Sequence, residues 1–340
     1  MNHSFISNDL FCNTQRQDSV ARIANSKAMD TSNVVTIREN EFCRLRGCET
    51  TDIPLNCARK LRGVQLAYRP PTPQERDRYL LHILRRIDEV QRREIPLNYK
   101  TFENGWEENY AQCVSEGVSW NALRPRYIKS LPFMRYLGDL IVPEVTYLGD
   151  ELFSIILTYS FEKYLGGVDH IYEFGCGTGR YLWMLAHLFS EKVLIGLDWT
   201  KASLKILALM RQKGLPIEGS QFDMLNPDAG VKIRPNSAVI TMSALEQLGN
   251  RFEPFLSYLL DSRPELVLHH EPIEEFYDGN KLLDYLAIAY HRRRGYLSGY
   301  WTALRNLAQD GKIEILEARR IPFGDPYHDG SSFIAWRPRS

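Results

Sequence analysis

Three glycines spaced two apart, Gly175, Gly177 and Gly179, follow a short apolar run at residues 170–174 and precede a helical pattern that starts at Arg180. Glycine belongs where the backbone must take positive φ and let a ligand approach closely, and the helix that follows offers unpaired N–H groups to a polar ligand. A dinucleotide fingerprint, G-x-G-x-x-G, would need its last glycine where Arg180 stands, with a pyrophosphate on the helix start. The spacing here is G-x-G-x-G. Glu173, two residues before the first glycine, would face the amino end of a zwitterionic ligand rather than a phosphate.

With that acid, Tyr172-Glu173-Phe174-Gly175-Cys176-Gly177-Thr178-Gly179 resembles motif I of the class I S-adenosylmethionine-dependent methyltransferases. The resemblance covers about residues 166–340 and implies an α/β, Rossmann-like, mostly parallel seven-stranded sheet with an antiparallel last strand. It implies S-adenosylmethionine as cofactor, held by Glu173, Gly175, Cys176, Gly177 and Gly179. Ligands of open α/β sheets sit at the carboxyl ends of the strands. Asp198 closes the apolar run 193–197, where a carboxylate can accept both ribose hydroxyls, as the matching family position does, and Trp199 offers an aromatic face to the adenine. Asp223 follows the run 217–222, where the family places an acceptor for the adenine amino group, with Met224 as the apolar neighbour that covers the ring.

The run 238–242 leads into Ser243-Ala244-Leu245-Glu246-Gln247. This stretch has neither the Pro-Pro-Tyr of amino-methylating DNA enzymes nor the Pro-Cys of cytosine enzymes, and it lacks the Asp of metal-dependent catechol enzymes, so no catalytic metal is expected. Ser243 and Glu246 are expected near the methyl group. Glu246 reads equally well as an acid opening the next helix. The run 266–269 leads into His270-Glu271-Pro272: a histidine can take a hydroxyl proton as the methyl transfers, and an adjacent carboxylate can orient it. Strand alternation turns one of His269 and His270 into a helix layer, and His270 is the expected base. His328 is the second choice and His291 the third. His291-Arg292-Arg293-Arg294 before Gly295 reads as a basic last helical turn with a glycine stop, or as a site for a substrate anion. Cys43, Cys48 and Cys57 fall close together, but a zinc clip would need Cys12 or His82 as a fourth ligand and no C-x-x-C pair occurs.

The elements that must position these groups alternate strand and helix from residue 170 onward, which argues a parallel sheet covered on both faces. Residues 312–320 and 331–336 are joined without a helix and must pair antiparallel. An insertion at about 272–309 can roof the pocket. Residues 61–165 read as an N-terminal helical cap that opens at the capping box Thr72-Pro73-Gln74-Glu75 and includes helices over 102–115 and 149–165. The polar first 60 residues show no sustained period and read as a mobile arm.

The chain has 340 residues, 42 Lys plus Arg against 42 Asp plus Glu, and six scattered cysteines. Balanced charge disfavours nucleic acid and anionic membrane as partners. No apolar run approaches the roughly 20 residues of a membrane span, and a cytoplasmic location with reduced thiols is expected. The reading is an enzyme that methylates a small-molecule acceptor, with a hydroxyl of a sugar or secondary metabolite favoured by the histidines. Trp106-Glu107-Glu108-Asn109-Tyr110 and Ala244-Leu245-Glu246-Gln247 are similar to stretches of sugar O-methyltransferases. The alternatives are N- or C-methylation of a metabolite or peptide, a cofactor-binding protein without turnover, and a nicotinamide dehydrogenase, the last disfavoured by the glycine spacing.

Overall fold

The computed structural model describes residues 33–90 and 99–339. The chain runs β1 (Val35–Thr36), α1 (Glu39–Arg46), α2 (Leu55–Gly63), β2 (Ala67–Arg69), α3 (Pro73–Glu89), α4 (Tyr99–Glu116), β3 (Met134–Tyr136), β4 (Asp139–Pro143) and α5 (Leu148–Tyr164). It continues through β5 (His170–Phe174), α6 (Arg180–Leu188), β6 (Val193–Asp198), α7 (Lys201–Gln212), β7 (Ile217–Gln221), β8 (Ser237–Met242), α8 (Glu253–Ser262) and β9 (Leu266–Glu271). The last elements are α9 (Leu282–Arg294), α10 (Tyr300–Gln309), β10 (Ile313–Gly324) and β11 (Asp329–Pro338).

The strands form one sheet in the order β1-β2-β4-β3-β10-β11-β9-β8-β5-β6-β7. From β5 onward, β6, β7, β8 and β9 are parallel to it, while β11 lies antiparallel between β9 and β10. These seven strands, with the inserted antiparallel last strand, are consistent with the Rossmann-like sheet that the glycine motif's resemblance implies. Alternation along β5 and β6 explains the layering. Ile171 and Leu194 face the cluster under α5, α6 and α7, whereas Tyr172, Phe174, Ile195 and Leu197 face the cluster under α8 and α10.

The sheet has eleven strands rather than seven, and the N-terminal region is not only helical. β3 and β4 form a hairpin whose central residues, Leu137 and Gly138, both have positive φ (51° and 87°), the turn that matches strand twist. β3 pairs with the end of β10 through Phe323 opposite Tyr136, and so extends the sheet from its C-terminal edge. The expected arm is also different where it is described. Residues 33–60 hold β1, α1 and the start of α2, with Ile37, Phe42, Leu45 and Cys57 buried in the main core, because their apolar residues find partners on α5 rather than on one another. Residues 1–32 of that arm, with Cys12, lie outside the described residues.

α3 opens at the expected box: the Thr72 hydroxyl accepts from the Glu75 N–H at 3.2 Å, and Glu75 accepts from the Thr72 N–H at 2.8 Å. The 272–309 insertion is held by buried charges. Arg135 of β3, 1 % exposed, and Arg320 of β10 share Asp284 of α9 and Asp329 of β11, with contacts of 2.6–3.3 Å. Removing one partner of such a group would leave an uncompensated buried charge. Gly295 ends α9 in the left-handed region, as expected, while Arg292 lies on Glu274 at 2.9 Å and Arg294 is buried beside Tyr296.

Candidate functional site

β5 delivers the chain into the glycine turn at the carboxyl edge of the sheet, on the floor of a cleft of about 450 Å³. Gly175 has φ +68°, and a Cβ on it would stand 2.6 Å from the Ala244 Cβ, so only glycine keeps this turn against the loop after β8. Gly177 lies under the ring of Trp106, which a Cβ would meet at 3.1 Å. Gly175, Cys176 and Gly177 line the cleft. Gly179 does not: it faces Leu207 and Met210 of α7, where a Cβ would fall 2.6 Å from a leucine methyl. Its expected ligand role is therefore corrected to close packing of helix on strand.

The three acids expected on the cofactor converge in the same cleft. Asp198 is 4 % exposed and accepts from the Gly177 N–H (2.8 Å), the Thr200 N–H (2.9 Å) and the Thr200 hydroxyl (2.7 Å). Burial pushes its pKa up, against these hydrogen bonds. It thus locks the glycine turn to the end of β6. Asp223 accepts from the Leu225 N–H (2.9 Å) and the Asn226 amide (3.0 Å), which fixes it at the end of β7. Glu173 is 1 % exposed, its Oε2 has no hydrogen-bond partner among the described residues, and burial pushes its pKa well up. A buried polar atom without a partner at the edge of a cleft marks a place for a ligand donor. Trp199, Met224 and Ser243 also line the cleft, Ser243 with φ +51° and its N–H on the His270 carbonyl.

The expected base is elsewhere. β9 runs to Glu271, two residues past its expected end at His269, and β11 pairs alongside it with Phe333 opposite His270. His270 is therefore inside the sheet, 0 % exposed, between the rings of Phe153 and Phe333, with Nδ1 3.0 Å from the Ser331 hydroxyl. Burial holds its pKa well below the usual histidine range, and it does not line the cleft. His269 points into the opposite layer, held by Thr241, Tyr300 and Trp336. Glu271 is corrected too: it is 0 % exposed, outside the cleft, and accepts from the backbone N–H groups of Ala244 (3.0 Å) and Glu246 (3.2 Å). It holds the loop that carries Ser243 and Glu246 rather than orienting a base. Glu246 lines the cleft, with its carboxylate on the Gln247 amide.

His328, the second choice, does reach the cleft. Its Nδ1 lies 3.1 Å from the Asp329 carbonyl, which can only accept, so that bond needs a proton on Nδ1. Nε2 is 3.5 Å from Asp325 Oδ2, and Asp325 is fixed by the backbone N–H groups of Tyr327 (2.7 Å) and His328 (3.0 Å). The third choice, His291, is buried behind it with ring centroids 5.0 Å apart. No group of three or more His, Cys, Asp or Glu among the described residues is placed to hold a metal. Cys43 and Cys48 have sulfurs 3.3 Å apart, Cys57 faces the Ile155 carbonyl, and His82 is bound to the Tyr327 hydroxyl.

Two features of the cleft were missed in the sequence. Arg180, the residue that rules out a dinucleotide spacing, is 2 % exposed, bidentate on Asp150 (2.5 and 2.8 Å) and bonded to the Trp120 carbonyl, with Arg124 on the other side of Asp150. This joins the helix after the glycine turn to the start of α5, and no local pattern announces a pair 30 residues apart. The second is a line of rings, Trp199, Phe102, Trp106 and Tyr127, with centroids 6.1–6.2 Å apart along the cleft. The aromatic run at 102–110 was its only signal.

No family model matches the chain. No curated protein matches it either. Among solved structures, an O-methyltransferase from neocarzinostatin biosynthesis, in complex with S-adenosylmethionine and 2-hydroxy-5-methyl naphthoic acid, is 14 % identical, with 56 % of this chain and 57 % of that one covered and a TM-score of 0.37. The N-methyltransferase NodS from Bradyrhizobium japonicum, in complex with S-adenosyl-L-homocysteine, is 12 % identical over 54 % of this chain and 85 % of that one, with a TM-score of 0.41. The plantazolicin methyltransferase BpumL is 12 % identical over 55 % and 82 %, with a TM-score of 0.38. Likenesses of this size add nothing to what the strand order shows.

Proposed function

We propose that this chain is an S-adenosylmethionine-dependent methyltransferase that acts on a hydroxyl of a small acceptor. The observation that supports it most is the convergence of Glu173, the glycine turn, Asp198 and Asp223, from the ends of three different strands, β5, β6 and β7, in a cleft that also holds His328. The residues fit the cofactor: Glu173 keeps an unpartnered buried oxygen for an amino group, Gly175 is a cradle that a Cβ would fill, and Asp198 keeps one lone pair on Oδ2 for a ribose hydroxyl beside Trp199. Asp223 and Met224 would take the base. When bound, S-adenosylmethionine supplies a methyl group activated by its sulfonium.

The chain's own part is to align and to move one proton. Alignment of two reactants can contribute about 7–11 kcal/mol. His328 Nε2 faces the far end of the cleft and, in the tautomer that carries its proton on Nδ1, accepts the hydroxyl proton. Asp325 then stabilises the imidazolium across the 3.5 Å contact, while Nδ1 keeps its bond to the Asp329 carbonyl. The roof of Phe102, Trp106 and Tyr127 limits water above the glycine turn. The test is calorimetric titration with S-adenosylhomocysteine, followed by mass spectrometry of acceptor pools incubated with the protein and S-adenosylmethionine. Saturable cofactor binding with a 14 Da gain on oxygen is the expected outcome. Binding without any methylated product would leave a cofactor-binding protein, and a gain on nitrogen or carbon would remove His328 as the base.

A further inference from the structure

The strand order gives the cleft two ends of different chemistry. The end at β6 and β7 carries Asp198 and Asp223. The other end, over β10 and β3, is walled by Leu131, Met134, Val145, Phe153, Tyr181 and Phe323. These side chains come from five separate segments and still close on one space. The Phe153 and Tyr181 rings meet edge to face at 6.0 Å, and a Cβ on Gly149 would touch both Met134 (3.3 Å) and Phe323 (3.9 Å).

Lys129 lines the exposed rim of this end, and the buried charged groups beneath it are engaged. Asp150 is held by Arg180 and Arg124, Arg180 has Nε, Nη1 and Nη2 all engaged, and one oxygen of Asp325 is taken by two backbone N–H groups. A sugar brings several hydroxyls, each of which costs roughly 1–3 kcal/mol if buried without a partner. Apart from the Tyr181 hydroxyl, walls of this kind supply no such partners. A flat aromatic ring instead meets edges and faces of rings at no such cost, with one polar edge toward His328.

We infer that the methyl acceptor is an aromatic compound that carries its hydroxyl on the ring, bound between Phe153 and Phe323, rather than a sugar. The inference rests on the methyl-transfer reading. It narrows the acceptor from any small hydroxyl to a phenol and makes Phe153 and Leu131 specificity residues, since they touch the acceptor's body and not its reacting oxygen.

The test uses the full chain with S-adenosylhomocysteine present and three probes: 7-hydroxycoumarin, 7-aminocoumarin and methyl β-D-glucopyranoside. The coumarins are expected to bind at least about tenfold more tightly than the glycoside, with similar affinity for each other because the ring supplies most of the contact. Phe153→Ser should weaken 7-hydroxycoumarin about tenfold and change S-adenosylhomocysteine affinity less than twofold. Leu131→Gln, at a half-buried position where misfolding is less of a risk, should narrow the gap between coumarin and glycoside. Glycoside binding equal to or tighter than coumarin binding overturns the inference, as does coumarin affinity that neither substitution changes. If the glycoside wins while S-adenosylhomocysteine binds normally, the aromatic acceptor alone falls. If S-adenosylhomocysteine does not bind at all, the methyl-transfer reading falls and takes this one with it.

Discussion

The two ends of the cleft are built by different means. At the cofactor end each group lies within a few residues of the strand that positions it: Glu173 in β5, Asp198 closing β6, Asp223 just past β7. At the acceptor end nothing is local. Met134 and Phe323 meet because β3 pairs with β10, and His328 reaches the cleft from the turn between β10 and β11. An end fixed by strand termini can be read from spacing. An end assembled by sheet pairing between residues nearly 190 apart cannot.

If the cofactor end is as local as this, one carboxylate should control it. Asp198→Ala removes the acceptor for the Gly177 and Thr200 N–H groups along with the proposed ribose contact, and two buried donors left unpaired cost roughly 1–3 kcal/mol each. The expected result is S-adenosylhomocysteine affinity reduced about 100-fold or more by titration calorimetry. Affinity within threefold of the parent protein would take Asp198 out of the cofactor site.

The acceptor end should respond in the opposite way. His328→Gln is expected to lower kcat by roughly 10²-fold, with cofactor affinity nearly unchanged, since proton removal belongs to the transition state. A variant that keeps its rate would leave alignment as the whole of the catalysis, which suits a neutral amine or a carbon nucleophile. The contrast between the two ends would then be one of binding only.

The histidines show where reading the sequence stopped. The alternation, the glycine turn, Asp198, Asp223 and the antiparallel last pair follow from periods and spacings that the chain carries locally. His270 was misplaced because β9 continues through it: β11 supplies partners as far as Ser332 opposite Glu271, and no signal within 266–272 marks where a strand ends when its neighbour comes from 60 residues later. The four N-terminal strands, of two to five residues, are too short to show a period of two. Only β3 pairs with β10, and the other three pair in turn through it. α1 was hidden for a related reason: Arg46, charged and 1 % exposed, is buried only because Glu317 of β10 meets it at 2.6 Å and the Tyr159 and Phe333 rings flank it.

The corrected place of His270 makes its own prediction. In His270→Gln the amide can keep a hydrogen bond to Ser331, and the site lies behind Phe153 rather than in the cleft, so kcat should stay within about threefold of the parent. Stability should fall by about 1–2 kcal/mol in urea titration, the usual range for a polar change in a packed core. A hundredfold loss of kcat at full stability would return His270 to the mechanism and reverse the comparison with His328.

The smallest effect is expected at Glu271, whose work is to hold the loop between the two ends. Burial pushes its pKa up to about 7 from an ordinary value of 4.5. Between these values the folded protein keeps a proton that the unfolded chain has released, so this group's contribution falls as pH rises from about 4.5 and has reached its floor above about 7. Glu271→Gln cannot titrate. Its single amide oxygen accepts from one of the Ala244 and Glu246 N–H groups, while in the protonated parent the hydroxyl oxygen can still accept from the other, and the lost bond should make the variant about 1 kcal/mol less stable at pH 5. At pH 8 the parent bears the cost of a buried charge and the variant does not, so the gap should narrow by about 1–3 kcal/mol and can change sign. Urea titrations of both proteins at pH 5, 6.5 and 8 measure this directly. A gap that stays constant across that range would mean that Glu271 is ionised throughout, and that the loop bearing Ser243 and Glu246 is held by a full negative charge rather than by a carboxyl group that loses its proton near neutrality.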